Sequence, residues 1–291
     1  MAERVDLYSS YSNFSEQVLA AIRDETFGRD IGQNSWITAD EYDRFISWLR
    51  LEPDGHVLEV ASGSGGPARY LAQQTNCYVT GIDANESGVE TATQSLRDSN
   101  LSDRIAIKVA DANVRLPFED NTFDAVTCMD SMNHFADRQN VLREWQRVLR
   151  PGRRAVFTDP VVITGPVTND ELALRSLVGL FLFVPPGVNE QLIANAGFQL
   201  VLKEDVSDNA ALVSERWHDS RQRHRDALVQ IEGEERFEGL QRFFAAVYKL
   251  TSERRLSRIV YLVEKPLRVT KRHKKAHKCS LIMFRLFLAA K

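Results

Sequence analysis

Between residues 56 and 159 short β-rich runs alternate with helical stretches, and this alternation constrains the fold more than any other feature. The runs are His56-Val-Leu-Glu-Val-Ala61, Tyr78-Val-Thr-Gly-Ile-Asp83, Ile105-Ala-Ile-Lys-Val-Ala110, Phe123-Asp-Ala-Val-Thr-Cys128 and Arg154-Ala-Val-Phe-Thr-Asp159. A turn at Pro151-Gly152 enters the last of them. Helices are predicted between them over residues 67–74, 87–97 and 138–149. Strands separated by helices of this length need right-handed crossovers. The expected fold is α/β, a doubly wound, mostly parallel sheet with helices on both faces.

The flanks read differently. Residues 14–22 and 40–51 carry apolar residues at helical spacing, the second with Thr38 as N-cap and Tyr42, Phe45, Ile46 and Leu49 on one face. After Pro160, helices are predicted over 169–183, 189–196, 212–230 and 239–250, and strands over 198–205 and 257–264.

Composition excludes several classes. Of 291 residues, 43% are apolar and 26% charged, which disfavours disorder. No apolar run reaches the roughly 18 residues of a membrane span. The first residues lack the basic start and apolar core of a secretory leader. Cys77, Cys128 and Cys279 are odd in number and show no CxxC spacing, against both a disulfide framework and a zinc site. A reducing, cytoplasmic setting is expected. Residues 1–264 hold 28 basic and 40 acidic groups, a net charge of −12. Such a body disfavours nucleic acid, whose binding begins with phosphate neutralisation. The nine Lys and Arg from Lys265 onward, with no Asp or Glu, suit weak contact with an acidic lipid surface, or an extension unrelated to the fold.

Glu59-Val-Ala-Ser-Gly63-Ser-Gly65-Gly66 lies where the first strand must turn into a helix. Glycines there let backbone N–H groups approach a ligand. Gly63-Ser-Gly65-Gly-Pro-Ala68 also satisfies GxGxxA, so a dinucleotide site competes. The neighbouring acids sharpen the choice. Asp83 ends the second strand, where a carboxylate can accept from both hydroxyls of a ribose. Asp111 ends the third and precedes Ala112, an acceptor and a backbone N–H able to read adenine. Glu59 ends the first. Three acids at the carboxyl ends of successive strands surround one crevice. A pyrophosphate wants positive surroundings; this crevice is acidic and suits a cationic ligand.

Val57-Leu-Glu-Val-Ala-Ser-Gly-Ser-Gly-Gly66, Gly81-Ile-Asp83 and Ala110-Asp-Ala112 together resemble the class I S-adenosylmethionine-dependent methyltransferases. Leu116-Pro-Phe-Glu-Asp-Asn-Thr-Phe-Asp-Ala-Val126 and Val148-Leu-Arg-Pro-Gly152 are similar to that family's stretches around its fourth and fifth strands. The resemblance implies a seven-stranded Rossmann-like sheet whose last strand is antiparallel. It implies S-adenosylmethionine as cofactor, held by Glu59, Ala61, Gly63, Gly65, Asp83, Ala84, Asp111, Ala112 and Met129. Ala61 stands where the family has glycine, and Arg153 where it has a second one. If Ala61 needs a positive φ, it carries a cost glycine avoids.

The resemblance also divides the chain. Residues 1–50 become an N-terminal helical lid and 51–160 the cofactor-binding core. Residues 161–264 become an acceptor cap with the last two strands, and 265–291 a basic tail. The loop Ile31-Gly-Gln-Asn-Ser-Trp36 is similar to a segment closing over the methionine end, with Gln33 and Ser35 as candidate partners of its carboxylate and Trp36 as a lid. The competing reading is a plain helix–helix linker.

His134, after the fourth strand, is the candidate general base. Phosphoethanolamine N-methyltransferases carry a functional histidine in the corresponding loop, paired with an N-terminal tyrosine. Tyr8 and Tyr11 lie in the matching region, and Tyr11 is carried over. The alternative for His134 is a helix-start histidine bonded to backbone. Leu177, Leu180, Phe181, Phe183, Phe243, Phe244 and Tyr248 read as cap core before pocket. Arg221, Arg223, His224 and Arg225 read as a solvated face from which one or two could meet an acidic acceptor. The expected function is methyl transfer to N or O of a small molecule. A module that holds the cofactor without turnover, and a nicotinamide-dependent oxidoreductase, are the alternatives.

Overall fold

The structure, a computed structural model, describes residues 16–97 and 99–267. Its strands are β1 (His56–Val60), β2 (Tyr78–Asp83), β3 (Ile105–Val109), β4 (Phe123–Cys128), β5 (Leu149–Ile163), β6 (Gln199–Asp205) and β7 (Leu256–Glu264). They form one sheet in the order β3-β2-β1-β4-β5-β7-β6. Strands β1 to β5 pair in parallel, and β7 lies antiparallel between β5 and β6. This is the expected doubly wound, seven-stranded sheet with its last strand reversed.

The helices are α1 (Gln17–Phe27), α2 (Ala39–Trp48), α3 (Gly66–Thr75), α4 (Glu86–Arg97), α5 (Arg138–Val148), α6 (Asn169–Arg175), α7 (Val188–Asn195), α8 (Ser207–Arg223), α9 (Arg225–Glu232) and α10 (Glu234–Ser252). Thr38 caps α2 as expected, its side chain accepting from the Glu41 N–H.

Alternation along the central strands divides the core between the two faces of the sheet. Leu58, Val126, Tyr261 and Trp145 pack on one side. Val57, Ala125, Val260 and Tyr42 pack on the other. A third, aromatic cluster joins Phe27, Trp36, Phe181, Phe243 and Phe244 beyond the strand ends.

The structure departs from expectation where tertiary contacts compete with local pattern. The helix expected over 169–183 stops at Arg175. Beyond it the backbone turns to other partners: the Leu182 N–H donates to the Asn133 carbonyl at 2.8 Å, and Val184 bridges to Val162. The apolar run there marks aromatic packing instead of a helix face. The helix expected over 212–230 is two, α8 and α9, meeting at His224. The Pro151-Gly152 turn lies inside β5, which begins at Leu149.

Candidate active site

A cavity of about 270 Å³ opens at the carboxyl ends of the central strands. It lies where strand order reverses between β1 and β4, the crevice in which open α/β sheets hold ligands. Ala61, Gly63 and Ser64 line it from the turn after β1. Asp83 and Ala84 follow β2, Asp111 and Ala112 follow β3, and Met129, Asp130 and His134 follow β4.

The turn after β1 holds its acids by backbone. Gly63 N–H donates to Asp83 Oδ2 at 2.8 Å, and Asn85 N–H to Oδ1 at 2.8 Å. Each Asp83 oxygen keeps a further lone pair for a hydroxyl donor. Asp111 is exposed, its Oδ1 accepting from the N–H and amide of Asn113 at 2.8 and 2.9 Å. Ala61 does adopt the left-handed conformation, with φ +58°. Gly65 does not line the cavity; it caps α3 at φ +75° and shapes the turn from behind.

Glu59 is buried in the cavity wall, and its Oε2 has no hydrogen-bond partner. Burial pushes its carboxyl up to about 8, and the Asp83 carboxylate adds to the shift. Burial likewise raises Asp83, against the backbone N–H groups that lower it.

The loop before α2 closes on this turn. A Cβ on Gly66 would stand 2.2 Å from the Gly32 carbonyl oxygen, so only glycine lets the loop lie this close. The approach brings Asn34 and Ser35 into the cavity wall. Gln33, expected beside them, is a correction. It is fully buried outside the wall, its Oε1 accepting from Ile31 N–H at 2.8 Å and its Nε2 donating to the Ile37 carbonyl at 3.3 Å. With both ends of its amide used, Gln33 sets the loop's shape.

A second pocket, about 70 Å³, adjoins the first and shares Asn34, Ser35, Asp130 and His134 with it. Its far walls are Trp36, Arg175, Phe181, Trp217, Phe243 and Phe244. Trp217 stacks on Phe244 with centroids 5.1 Å apart. Phe181, Phe243 and Phe244 are thus core and pocket at once. Leu180 and Tyr248 are neither, being 61% and 39% exposed.

His134 ends a single 3-10 turn, Met132–His134, and stands between the two spaces. Its Nδ1 lies 3.2 Å from the Leu180 carbonyl, which fixes the proton on Nδ1. Nε2 then carries the lone pair and accepts a long bond from the Asn133 amide at 3.3 Å. Phe181 meets the ring edge-on at 4.8 Å. Burial pushes the imidazole down to about 4, so it is neutral at physiological pH. The backbone-bonded histidine and the cavity-facing histidine prove to be one arrangement.

One buried ionic network ties these parts together. Arg258 of β7 reaches Asp130 Oδ1 and Glu41 Oε2, both at 2.6 Å. Asp130 also accepts from Thr158 Oγ1 at 2.8 Å and from Trp36 N–H at 2.9 Å. Asn209 of α8 donates to Glu41 and to the Trp36 carbonyl. The loop bearing Asn34 and Ser35 is thereby fixed to β4, β7 and α8. Sequence reading missed Asp130, Arg175 and Arg258, because no local spacing joins positions so far apart.

Arg221, Arg223, His224 and Arg225 do not face the aromatic pocket. Arg221 pairs with Glu232, Arg225 with Glu234, and Arg223 and His224 with Glu25. Tyr8, Tyr11 and the tail beyond Leu267 lie outside the described residues.

Comparison with known proteins gives the family. Residues 58–157 match the family described as Methyltransferase domain. The 27-O-demethylrifamycin SV methyltransferase of Amycolatopsis mediterranei is 30% identical over 200 residues, covering 65% of this chain and 73% of that protein. The chain belongs to the S-adenosylmethionine-dependent methyltransferases. Methyltransferase GfsG of Streptomyces halstedii is 36% identical over 161 residues, 53% of this chain; the match spans little more than half of that relative, 56% of its length. The Haemonchus contortus phosphoethanolamine N-methyltransferase 2 structure, in complex with phosphomonomethylethanolamine and S-adenosylhomocysteine, shares the fold. It has a TM-score of 0.75 at 16% identity, over 89% of this chain and 60% of that one.

The residues of this methyltransferase fit its family's cofactor. A buried acceptor without a partner, Glu59 Oε2, and a strand-end carboxylate with lone pairs to spare, Asp83, are the kinds of group that a cationic amine and a ribose diol require. No helix among the described residues is long and apolar enough to cross a membrane.

Proposed function

We propose that this chain methylates an oxygen or nitrogen of a small-molecule acceptor seated in the aromatic pocket. The observation that carries the reading is the shared wall: Asn34, Ser35, Asp130 and His134 border both the cofactor cavity and the pocket. When bound, S-adenosylmethionine supplies a methyl group on an electrophilic sulfonium. Glu59, Ala61, Gly63, Asp83, Ala84, Asp111, Ala112 and Met129 hold the cofactor, and Ser35 stands beside its methionine end.

The protein's own contribution is alignment, exclusion of water and proton removal. Trp36 and the loop before α2 act as the lid, and the helices after Pro160 as the acceptor cap. His134 receives the acceptor proton at Nε2, displacing the long bond from Asn133. Tyr11 is its proposed partner from the N-terminal region. The proposed setting is cytoplasmic, and the proposed role of the basic tail is weak contact with an acidic membrane surface.

Isothermal calorimetry with S-adenosylhomocysteine, and with NADH as control, tests the cofactor assignment. A methyl-transfer screen over phenols, amines and carboxylic acids then tests turnover. Tight binding without turnover of any acceptor would favour the module that holds the cofactor and does no chemistry.

A further inference from the structure

Four arginines are almost fully buried among the described residues: Arg138, Arg175, Arg221 and Arg258. Three have carboxylate partners. Arg138 lies 2.6 Å from Asp159, Arg258 lies 2.6 Å from both Asp130 and Glu41, and Arg221 pairs with Glu232. Arg175, 2% exposed, has no carboxylate within ion-pair distance among the described residues, and its Nη1 is buried without a hydrogen bond.

Three rings surround it instead. Its Cζ lies 4.9 Å from the centroid of Phe181, 5.2 Å from Phe243 and 5.7 Å from Trp36. Ring faces attract a cation but cannot accept five N–H bonds. The nearest acids are already committed: Asp130 to Arg258, Thr158 and Trp36, and Asp159 to Arg138 and Asn189. Burial pushes the guanidinium down only to about 10, so it stays charged at neutral pH. A desolvated cation with an unused fork costs stability unless a ligand repays it.

We propose that Arg175 is an anion-binding residue of the acceptor pocket and that it takes a carboxylate on an aromatic or apolar body. The guanidinium fork matches the two carboxylate oxygens, and the rings that flank it take the body. Asp130 and His134, which follow β4, border both this pocket and the cofactor cavity. Calling this acid the methyl acceptor rests on the methyl-transfer reading; the anion site itself does not.

The probes are 4-fluorobenzoate and its neutral isostere 4-fluorobenzamide, titrated against the full chain by fluorine NMR. The wild type should bind the benzoate at least about tenfold more tightly than the benzamide, as a charge-assisted pair predicts. Arg175→Met should lose about tenfold or more for the benzoate while its benzamide affinity moves less than about threefold. Arg175→Lys, which keeps the charge without the fork, should fall between. S-adenosylhomocysteine calorimetry on each variant checks that the neighbouring cavity persists. Equal binding of the two probes by wild type, no binding of either, or full benzoate affinity in Arg175→Met would each overturn the proposal. Should Arg175→Met fail to fold, the wild-type probe pair and Arg175→Lys still decide it. If the benzoate preference holds while S-adenosylhomocysteine does not bind, the methyl-transfer reading fails and the anion site stands.

Discussion

The cofactor cavity and the aromatic pocket share a wall but are built by different rules. The cavity takes its groups from one repeated position, the residue just past a parallel strand: Ala61 after β1, Ala84 after β2, Ala110 after β3, with Asp111 beside it, and Met129 after β4. Backbone N–H groups orient its acids, as Gly63 and Asn85 do for Asp83. The pocket has no such repeat. Trp36 comes from the loop before α2, Arg175 from the end of α6, Trp217 from α8 and Phe243 from α10. Side chains, not backbone, shape it. A turn that any ligand of one class can use is thus set against walls free to vary with the acceptor.

The sharpest test of that division is the residue that serves both sides. Replacing Arg258 with Met leaves Asp130 and Glu41 buried without their cation. Breaking such a network typically costs about 3–5 kcal/mol. Chemical denaturation should therefore show a loss of that order, and fluorescence should report disorder around Trp36. A variant as stable as wild type would mean that cavity and pocket are held independently.

His134→Ala should act on the shared wall without touching the cofactor. General-base help spans about 10²–10⁴ in rate. A histidine pushed down to about 4 is a weaker base than an unperturbed one, so a loss near the lower end, about 10², is expected. S-adenosylhomocysteine affinity should barely change. The acid limb of the wild-type rate should lie near pH 4 instead of 6.5. Stability carries the same sign: below about 6.5 the unfolded chain takes up a proton the folded ring refuses until about 4, so stability falls as pH drops through that window. An acid limb at 6.5 would remove His134 as the titrating group.

These differences also explain what the sequence made readable. Strand periodicity, turn glycines and strand-end acids are local, so the sheet and most of the cavity are legible in the sequence. Gln33 misled because its amide satisfies the backbone of its own loop, which residue type does not reveal. Residues 177–183 misled because an apolar run at helical spacing serves equally as aromatic packing. Arg175 was overlooked, while the conspicuous basic cluster from Arg221 to Arg225 drew notice and turned out to be paired with Glu232, Glu25 and Glu234. Whether a cation is paired is a tertiary fact.

Two further changes probe the cavity alone. Asp83→Ala removes the acceptor at the end of β2 and should weaken S-adenosylhomocysteine by roughly 1.5–3 kcal/mol, the range for hydrogen bonds to a charged group. Unchanged affinity would retire the ribose assignment. Glu59 offers a pH signature of smaller size. Its carboxyl, up at about 8 without ligand, holds a proton at neutral pH. A cationic amine alongside favours the ionised form, so binding releases that proton. Affinity should rise with pH, by up to about tenfold per unit, and level off above 8. Calorimetry in buffers of different ionisation enthalpy measures the release directly, and Glu59→Gln should abolish it.

The smallest expected effect concerns Ala61, a cavity residue whose backbone sits in the left-handed region that favours glycine. At φ +58° an L-residue brings its Cβ against the neighbouring carbonyl, at roughly 1–2 kcal/mol. Glycine there relieves the clash but gives the unfolded chain more freedom, which returns roughly 0.5–1 kcal/mol. Ala61→Gly should therefore stabilise the fold by less than about 1.5 kcal/mol, the largest difference between the two. The same residue lines the cavity, so removing its methyl also clears space beside Gly63. If the methyl crowds the ligand, S-adenosylhomocysteine affinity rises, since strain relieved equally in free and bound protein leaves affinity unchanged. If the methyl packs against the ligand, affinity falls while stability still rises. Stability rises with affinity unchanged if strain in the turn is the whole effect. In that case the turn after β1 is a backbone device at every position, and the contrast with the side-chain-built pocket is complete.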